Sequence, residues 1–161
     1  MKKIAVEEVE NVPNPMGVNT VRKPISDAVN AEEAAIVHYE LDPGESFSGG
    51  LHTHHDQEET FYILDGTATF DVGTDREEVI VDEGEAIRFD PGEFQYGYND
   101  TDEQIVGLAI AAPGARHDWD QLESLVPCGE CGEKTIHSVS LTDEGNMVAE
   151  CTECGNELQL S

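Results

Sequence analysis

His52, His54 and Glu59 are the residues of this 161-residue chain whose types and spacing best suit metal chemistry. Imidazole nitrogen and carboxylate oxygen are donors for first-row divalent ions. Residues i and i+2 of a strand point to one face, so the two imidazoles can reach one ion. Glu59 follows after a short turn at residues 55–58, where Thr60-Phe-Tyr-Ile63 has the aromatic and β-branched content of a strand. A histidine pair alone is usually exposed or hydrogen-bonded polar surface, and the carboxylate at this spacing is what makes the pair a ligand set. Glu58 is the alternative carboxylate, but its strand parity turns it away.

The spacing HxH, four residues, Glu, six residues, Gly, carried by His52, His54, Glu59 and Gly66, resembles the first conserved motif of the cupin superfamily. The second motif lies without a gap on Gly84, Asp90, Gly92, Gln95 and Asn99. Three positions depart from the pattern. Asp90 stands where the family has proline, with Pro91 directly after it, Ser46 replaces a glycine upstream of His52, and Gln95 stands where the family has its third metal histidine. The resemblance covers about residues 20–113. It implies an all-β double-stranded β-helix, a jelly-roll barrel, in which His52, His54, Glu59 and Gln95 converge on a divalent ion (Fe, Mn, Ni, Co or Zn). Cupins commonly dimerise, so it also implies a homodimer.

Gln95 decides the kind of site. Its amide oxygen is a weaker donor than imidazole, which leaves two histidines, one carboxylate and open coordination positions, the arrangement of non-haem Fe(II) oxygenases. The expectation is a dioxygenase or metal-dependent isomerase acting on a small polar metabolite, with the ion as Lewis acid or oxygen activator. The alternative is a non-catalytic binding or sensing protein whose barrel holds a small ligand and whose tail docks a partner. No general base or nucleophile distinct from the ligands stands out, so no catalytic residue is assigned. Arg88 is a candidate for a substrate carboxylate, against the commoner fate of a structural ion pair. His55 should face away from the HxH side, while His38, His117 and His137 have no ligand partner at useful spacing and read as surface or hydrogen-bonded filler. Phe47, Phe61, Phe70, Phe89 and Phe94 read as core, and Asn99 as fixing a turn.

The elements that must position these groups are short strands. Eight are predicted, over 34–41, 47–54, 59–64, 67–72, 77–81, 86–89, 95–98 and 103–111, separated by turn sequences such as Asp-Pro-Gly-Glu and Asp-Gly. Asp118-Trp-Asp-Gln121 followed by Leu122 and Leu125 reads as a capping box opening a short helix. The organisation expected is an extended arm (1–33), a barrel (34–117), a helical linker (118–126) and a tail (127–161).

The tail holds Cys128-Gly-Glu-Cys131, nineteen residues, then Cys151-Thr-Glu-Cys154. Paired cysteines of this spacing suit a structural zinc held by four thiolates, with strands at 134–141 and 147–150 between them. The tail resembles a zinc ribbon, and so short a segment would take most of its folding energy from the metal. Treated as separate from the barrel, it should lose only its zinc when Cys128 and Cys151 become Ser. Many zinc ribbons touch nucleic acid, but beyond residue 126 seven acids face Lys134 alone, a balance of −6. Phosphate contacts need basic side chains, so the tail reads as a cap or a docking surface.

The whole chain repeats that bias, with 35 acids against 8 Lys and Arg and a formal charge of −27. This argues against nucleic acid and anionic membranes as partners and leaves a small-molecule ligand or substrate. The N-terminus lacks a signal-peptide core, no apolar run is long enough to span a bilayer, and the paired cysteines suit a reducing compartment, so a cytoplasmic protein is expected. The acids alternate with Val, Ile, Phe and Tyr in strand-like runs and so belong on outer faces, a composition similar to proteins of salt-accumulating halophiles. Repulsion among them is screened over about 3 Å at 1 M salt. The melting temperature should therefore climb steeply from low to molar KCl, and a flat profile would refute the halophile reading.

Overall fold

The structure, a computed structural model, describes residues 1–142 and 146–160. Its strands are β1 (Val21–Pro24), β2 (Ala35–Leu41), β3 (His52–His54), β4 (Glu58–Asp65), β5 (Thr67–Val72), β6 (Glu77–Asp82), β7 (Ala86–Phe89), β8 (Gln95–Tyr98), β9 (Ile105–Ala112), β10 (Leu122–Pro127), β11 (Lys134–Leu141), β12 (Met147–Cys151) and β13 (Glu157–Gln159), with one short helix, α1 (Ile25–Val29), after β1. They form two antiparallel sheets, one ordered β1-β2-β9-β4-β7 and the other β13-β12-β11-β10-β3-β8-β5-β6. This is the expected all-β double-stranded β-helix with a small ribbon after it.

Alternation makes the barrel. Along β9 the inward positions Ile105, Gly107, Ala109 and Ala111 are buried and the intervening ones are not. Phe47, Phe61, Phe70 and Phe89 meet at the centre, with ring centroids 5.0 to 6.2 Å apart. Phe94 is buried as well. Gly66 closes the β4–β5 hairpin at φ +84°, where a Cβ would stand 2.9 Å from the Gln104 carbonyl oxygen, so both conformation and space demand glycine. Asn99 holds the turn after β8, donating to the carbonyls of Leu41 and Glu103. No helix among the described residues is long and apolar enough to cross a membrane.

Three expectations need correction. The arm is not merely extended, because β1 pairs with β2 along its whole length and edges the five-stranded sheet. The strand expected at 47–54 shrinks to His52–His54, since Ser48, Gly49 and Gly50 favour irregular backbone over a ladder. The linker helix is absent. Asp118 does accept from the Asp120 N–H, but only one 3-10 turn (Trp119–Gln121) follows. Leu122–Pro127 then runs as β10, paired through six positions with β11 and three with β3. A cap signal outweighs little against two ladders of non-local hydrogen bonds.

The ribbon thus continues the barrel's sheet. β3 meets β8 at one residue pair, His52 with Gln95, but meets β10 at three. Directly opposed residues share a face, so Gln95, His52, Ser124, His137 and Cys151 form one row across five strands. The two candidate metal sites therefore share one run of paired strands. In Cys128→Ser/Cys151→Ser, hydrogen exchange of the His52–His54 amides should accelerate by about tenfold or more as β10 loosens, with a drop in barrel metal. Unchanged exchange would show that β3 holds without the ribbon.

Candidate metal centre

Burial and parity bring the first motif together. His52 and His54 leave β3 on one face, Glu59 enters from β4 in the opposite sheet, and their donor atoms lie within 4.8 Å of one another. His52 Nδ1 donates to the Gly50 carbonyl at 2.8 Å, which fixes the tautomer and leaves Nε2 with its lone pair for a ligand. His54 Nε2 is 3.8 Å from Glu59 Oε2, and His54 Nδ1 is buried without a partner. Burial holds both imidazoles neutral, lowering His52 below its ordinary value and His54 to about 3, where His52 and His117 add to the effect. Burial also raises Glu59 to about 7, against the opposing Gln95 hydrogen bond. Two neutral nitrogen donors and a carboxyl whose ionisation burial disfavours are a fit for a divalent cation.

Gln95 stands in the same cluster. Its Nε2 donates to Glu59 Oε2 at 2.7 Å and lies 3.3 Å from His52 Nε2, while its Oε1 is buried and unpartnered. Turning the amide about its last bond would present that oxygen instead. Other expectations hold in detail. Glu58 points outward into an ion pair with Arg88, which also contacts Asp90, so Arg88 is structural and exposed. His55 pairs outside the barrel with Glu123 at 2.9 Å. His38 contacts Glu40, and His137 is buried within the ribbon with Nδ1 on the Thr135 carbonyl.

His117 is the correction. It is not filler at a distance, because its ring lies 4.9 Å from that of His54 and 4.6 Å from that of Trp119, with Nε2 buried and unpartnered. The segment is pinned where the Asp118 N–H donates to Asp56 Oδ2 at 2.7 Å. Arg22, on β1, also faces the site. Both line a cavity of about 730 Å³ together with His52, His54 and Glu59, and the arm (Val12–Met16) and ribbon residues Leu122, Ser124 and Val139 complete its wall. Their spacing to the motif carries no signal, since only the register of β1 and the course of residues 113–119 bring them in.

In the ribbon the four sulfur atoms lie within 4.8 Å of one another, Cys128 to Cys154 at 3.6 Å and Cys131 to Cys151 at 3.9 Å. Bonds of ~2.3 Å to a tetrahedral ion put sulfurs roughly 3.8 Å apart, so the cluster fits such an ion. Gly132 and Gly155, at φ +75° and +74°, close the two turns with N–H donation to the Cys128 and Cys151 carbonyls. The Thr135 hydroxyl and the N–H groups of Cys154 and Glu153 bring Cys151 down to about 6, while neighbouring thiols push Cys131 up.

Residues 37–111 match the family model of the cupin domain. Among solved structures, the polyketide cyclase RemF from Streptomyces resistomycificus is similar with a TM-score of 0.61 and 19% identity, covering 90% of this chain and 89% of that one. A sugar phosphate isomerase of the cupin superfamily from Silicibacter pomeroyi gives 0.59 and 18%, over 98% and 92%. A cupin protein from Bacteroides fragilis gives 0.52 and 20%, over 66% and 85%. At these identities the likeness is one of fold. No curated protein sequence matches the chain.

Glu59 yields a pH prediction. Its carboxyl keeps a proton up to about pH 7, and an ion binds the carboxylate, so binding below that pH must expel the proton. The imidazoles, already neutral, add no such requirement in this range. Nickel affinity measured by calorimetry should weaken about tenfold per unit as pH falls below about 7. Glu59→Gln should bind weakly and lose the slope. An affinity flat from pH 5.5 to 8 would remove Glu59 from the ligand set.

Proposed function

We propose that the chain, whose residues 37–111 match the cupin domain, is a metal-dependent enzyme acting on a small polar metabolite, with His52, His54, Glu59 and Gln95 holding a divalent ion in the barrel and Cys128, Cys131, Cys151 and Cys154 holding zinc in the ribbon. The observation that carries this reading is the convergence of three donors from both sheets, within 4.8 Å, on the wall of a cavity large enough for a metabolite. A bound ion would act as Lewis acid or oxygen activator, in keeping with a metal-dependent isomerase or a dioxygenase. The protein's own part is to hold the imidazoles neutral, orient His52 through Gly50, and enclose the ligand between barrel, arm and ribbon. The structural neighbours include a sugar phosphate isomerase and a polyketide cyclase, so the shared fold leaves the reaction to the site.

One observation favours a second reading, a binding or sensing protein. The Gln95 N–H groups already satisfy Glu59 at 2.7 Å without an ion, as a barrel that has given up chemistry would require. Protein loaded in turn with Fe(II), Mn, Ni and Zn, given panels of hydroxy acids, diketones and sugar phosphates, separates the two. Oxygen uptake or proton exchange at carbon by NMR, lost at least about a hundredfold in His54→Ala, would establish the enzyme. Silence across all metals, with an endogenous small molecule recovered from the barrel, would overturn it in favour of the binder.

A further inference from the structure

Arg22 stands out by what it lacks. In a chain of 35 acids and 8 basic residues, a guanidinium ordinarily finds a carboxylate, as Arg76, Arg88 and Arg116 do. Among the described residues, no carboxylate oxygen lies within 4.0 Å of Arg22. Its contacts are neutral: Nε donates to the Tyr39 hydroxyl at 3.3 Å and Nη1 to the Val12 carbonyl at 3.3 Å. Of the five N–H groups on a guanidinium, three are left without a protein acceptor.

Its place is fixed by the fold. Arg22 opposes Tyr39 in the β1–β2 ladder, and Tyr39 is buried against Phe47 in the barrel core. The side chain lines the same cavity as His52, His54 and Glu59. Tyr39 feels the charges of both Arg22 and Glu59, and His117, whose ring lies tilted beside that of His54, feels that of Arg22. The other arginine on the cavity wall, Arg116, reaches Asp27 at 3.6 Å and is largely exposed. Among the described residues, the cavity that His52, His54 and Glu59 line therefore also holds one guanidinium with spare, forked donors, in a surface whose overall charge repels anions.

We propose that Arg22 is the anion-binding residue of the cavity, and that the ligand is an organic oxyanion, a carboxylate or a phosphate ester, which also carries an oxygen able to reach the ion at His52, His54 and Glu59. Planar paired donors match carboxylate and phosphate oxygens and carry specificity that an ammonium would not. The two holds lie on different elements, β1 for the anion and β3 with β4 for the ion, so a molecule of two oxygen functions is oriented by both. A neutral sugar or hydrocarbon would leave the guanidinium unpaired once it displaced the water. This inference rests on the small-molecule reading above but not on any particular reaction.

The test uses the full chain in the presence and absence of nickel, with inorganic phosphate in one arm and malonate in the other, followed by calorimetry at fixed ionic strength. At least one anion should bind the wild-type protein and bind Arg22→Gln about tenfold or more weakly, while Arg116→Gln binds as wild type. Arg22→Lys should recover only part of the affinity, because the fork is lost. Nickel affinity in Arg22→Gln should stay at the wild-type value, which also reports that the variant is folded. Failure of wild type to bind nickel sinks the metal-site reading alone, since the anion arm runs without metal. Equal binding of both anions by wild type and Arg22→Gln, or no binding of either by wild type, overturns the proposal, and the arm that responds tells phosphate from carboxylate.

Discussion

The pairing of β3 with β10 is the constraint on which this structure turns. His52 and His54 can serve one site only if three residues of backbone are held straight, and three residues make too short a strand to hold themselves. One pair with β8 is not enough. The remaining ladder comes from Leu122, Glu123 and Ser124, which belong to the ribbon's first strand, and that strand is in turn held along its whole length by β11. The four cysteines close the far end of those same strands. The ribbon is therefore structural support for the strand that carries His52 and His54, and this gives it a physical role that needs no outside partner. A second apolar cluster, Leu122, Val139 and Ala149 with Trp119 and Leu158 against them, ties the extended sheet together on the cavity side.

Charge follows the same division between inside and outside. Most of the acids among the described residues are exposed, where water and salt screen them. Inside, the balance reverses: two imidazoles that burial keeps neutral, one carboxyl whose hold on its proton burial strengthens, and a guanidinium without a carboxylate partner among the described residues. Each of those states is unfavourable for a group left alone and favourable once the right charge arrives, a cation for Glu59 and an oxyanion for Arg22. The cavity is in this sense complementary to a pair of ions, and a cation-bound organic anion supplies both.

What was legible in the sequence was whatever depends on local spacing. The HxH, the glutamate five residues on, the glycine at the hairpin and the paired cysteines each encode a strand parity or a turn, and β5, β7 and β8 run over the residues their alternation predicted. What was not legible depends on pairing between distant segments. Asp118 and the residues after it carry real helix-start chemistry, and the 3-10 turn uses it, but Leu122–Pro127 lies between two open strand edges whose ladders decide its conformation. His117 and Arg22 reach the site through that same non-local geometry. Neither has a neighbour in sequence that marks it, and His117 was misread as filler because proximity to His54 is created only by the chain's return after β9.

Gln95 shows why a substitution at a ligand position need not abolish the site. A histidine there would offer one donor or one acceptor in a direction fixed by its ring. The amide offers N–H groups on one side and an oxygen on the other, and it can exchange them by a half-turn. In the arrangement observed, Nε2 satisfies Glu59 while Oε1 has no partner, a buried cost of about 1–3 kcal/mol. An ion beside Glu59 would make the opposite orientation the satisfied one, with the oxygen turned inward and the carboxylate compensated by the cation. The amide thus lowers the penalty of the metal-free barrel and contributes less to the loaded one than imidazole would. A site built this way would exchange a bound ion more readily than one closed by three histidines, because the amide can return to its hydrogen bond with Glu59.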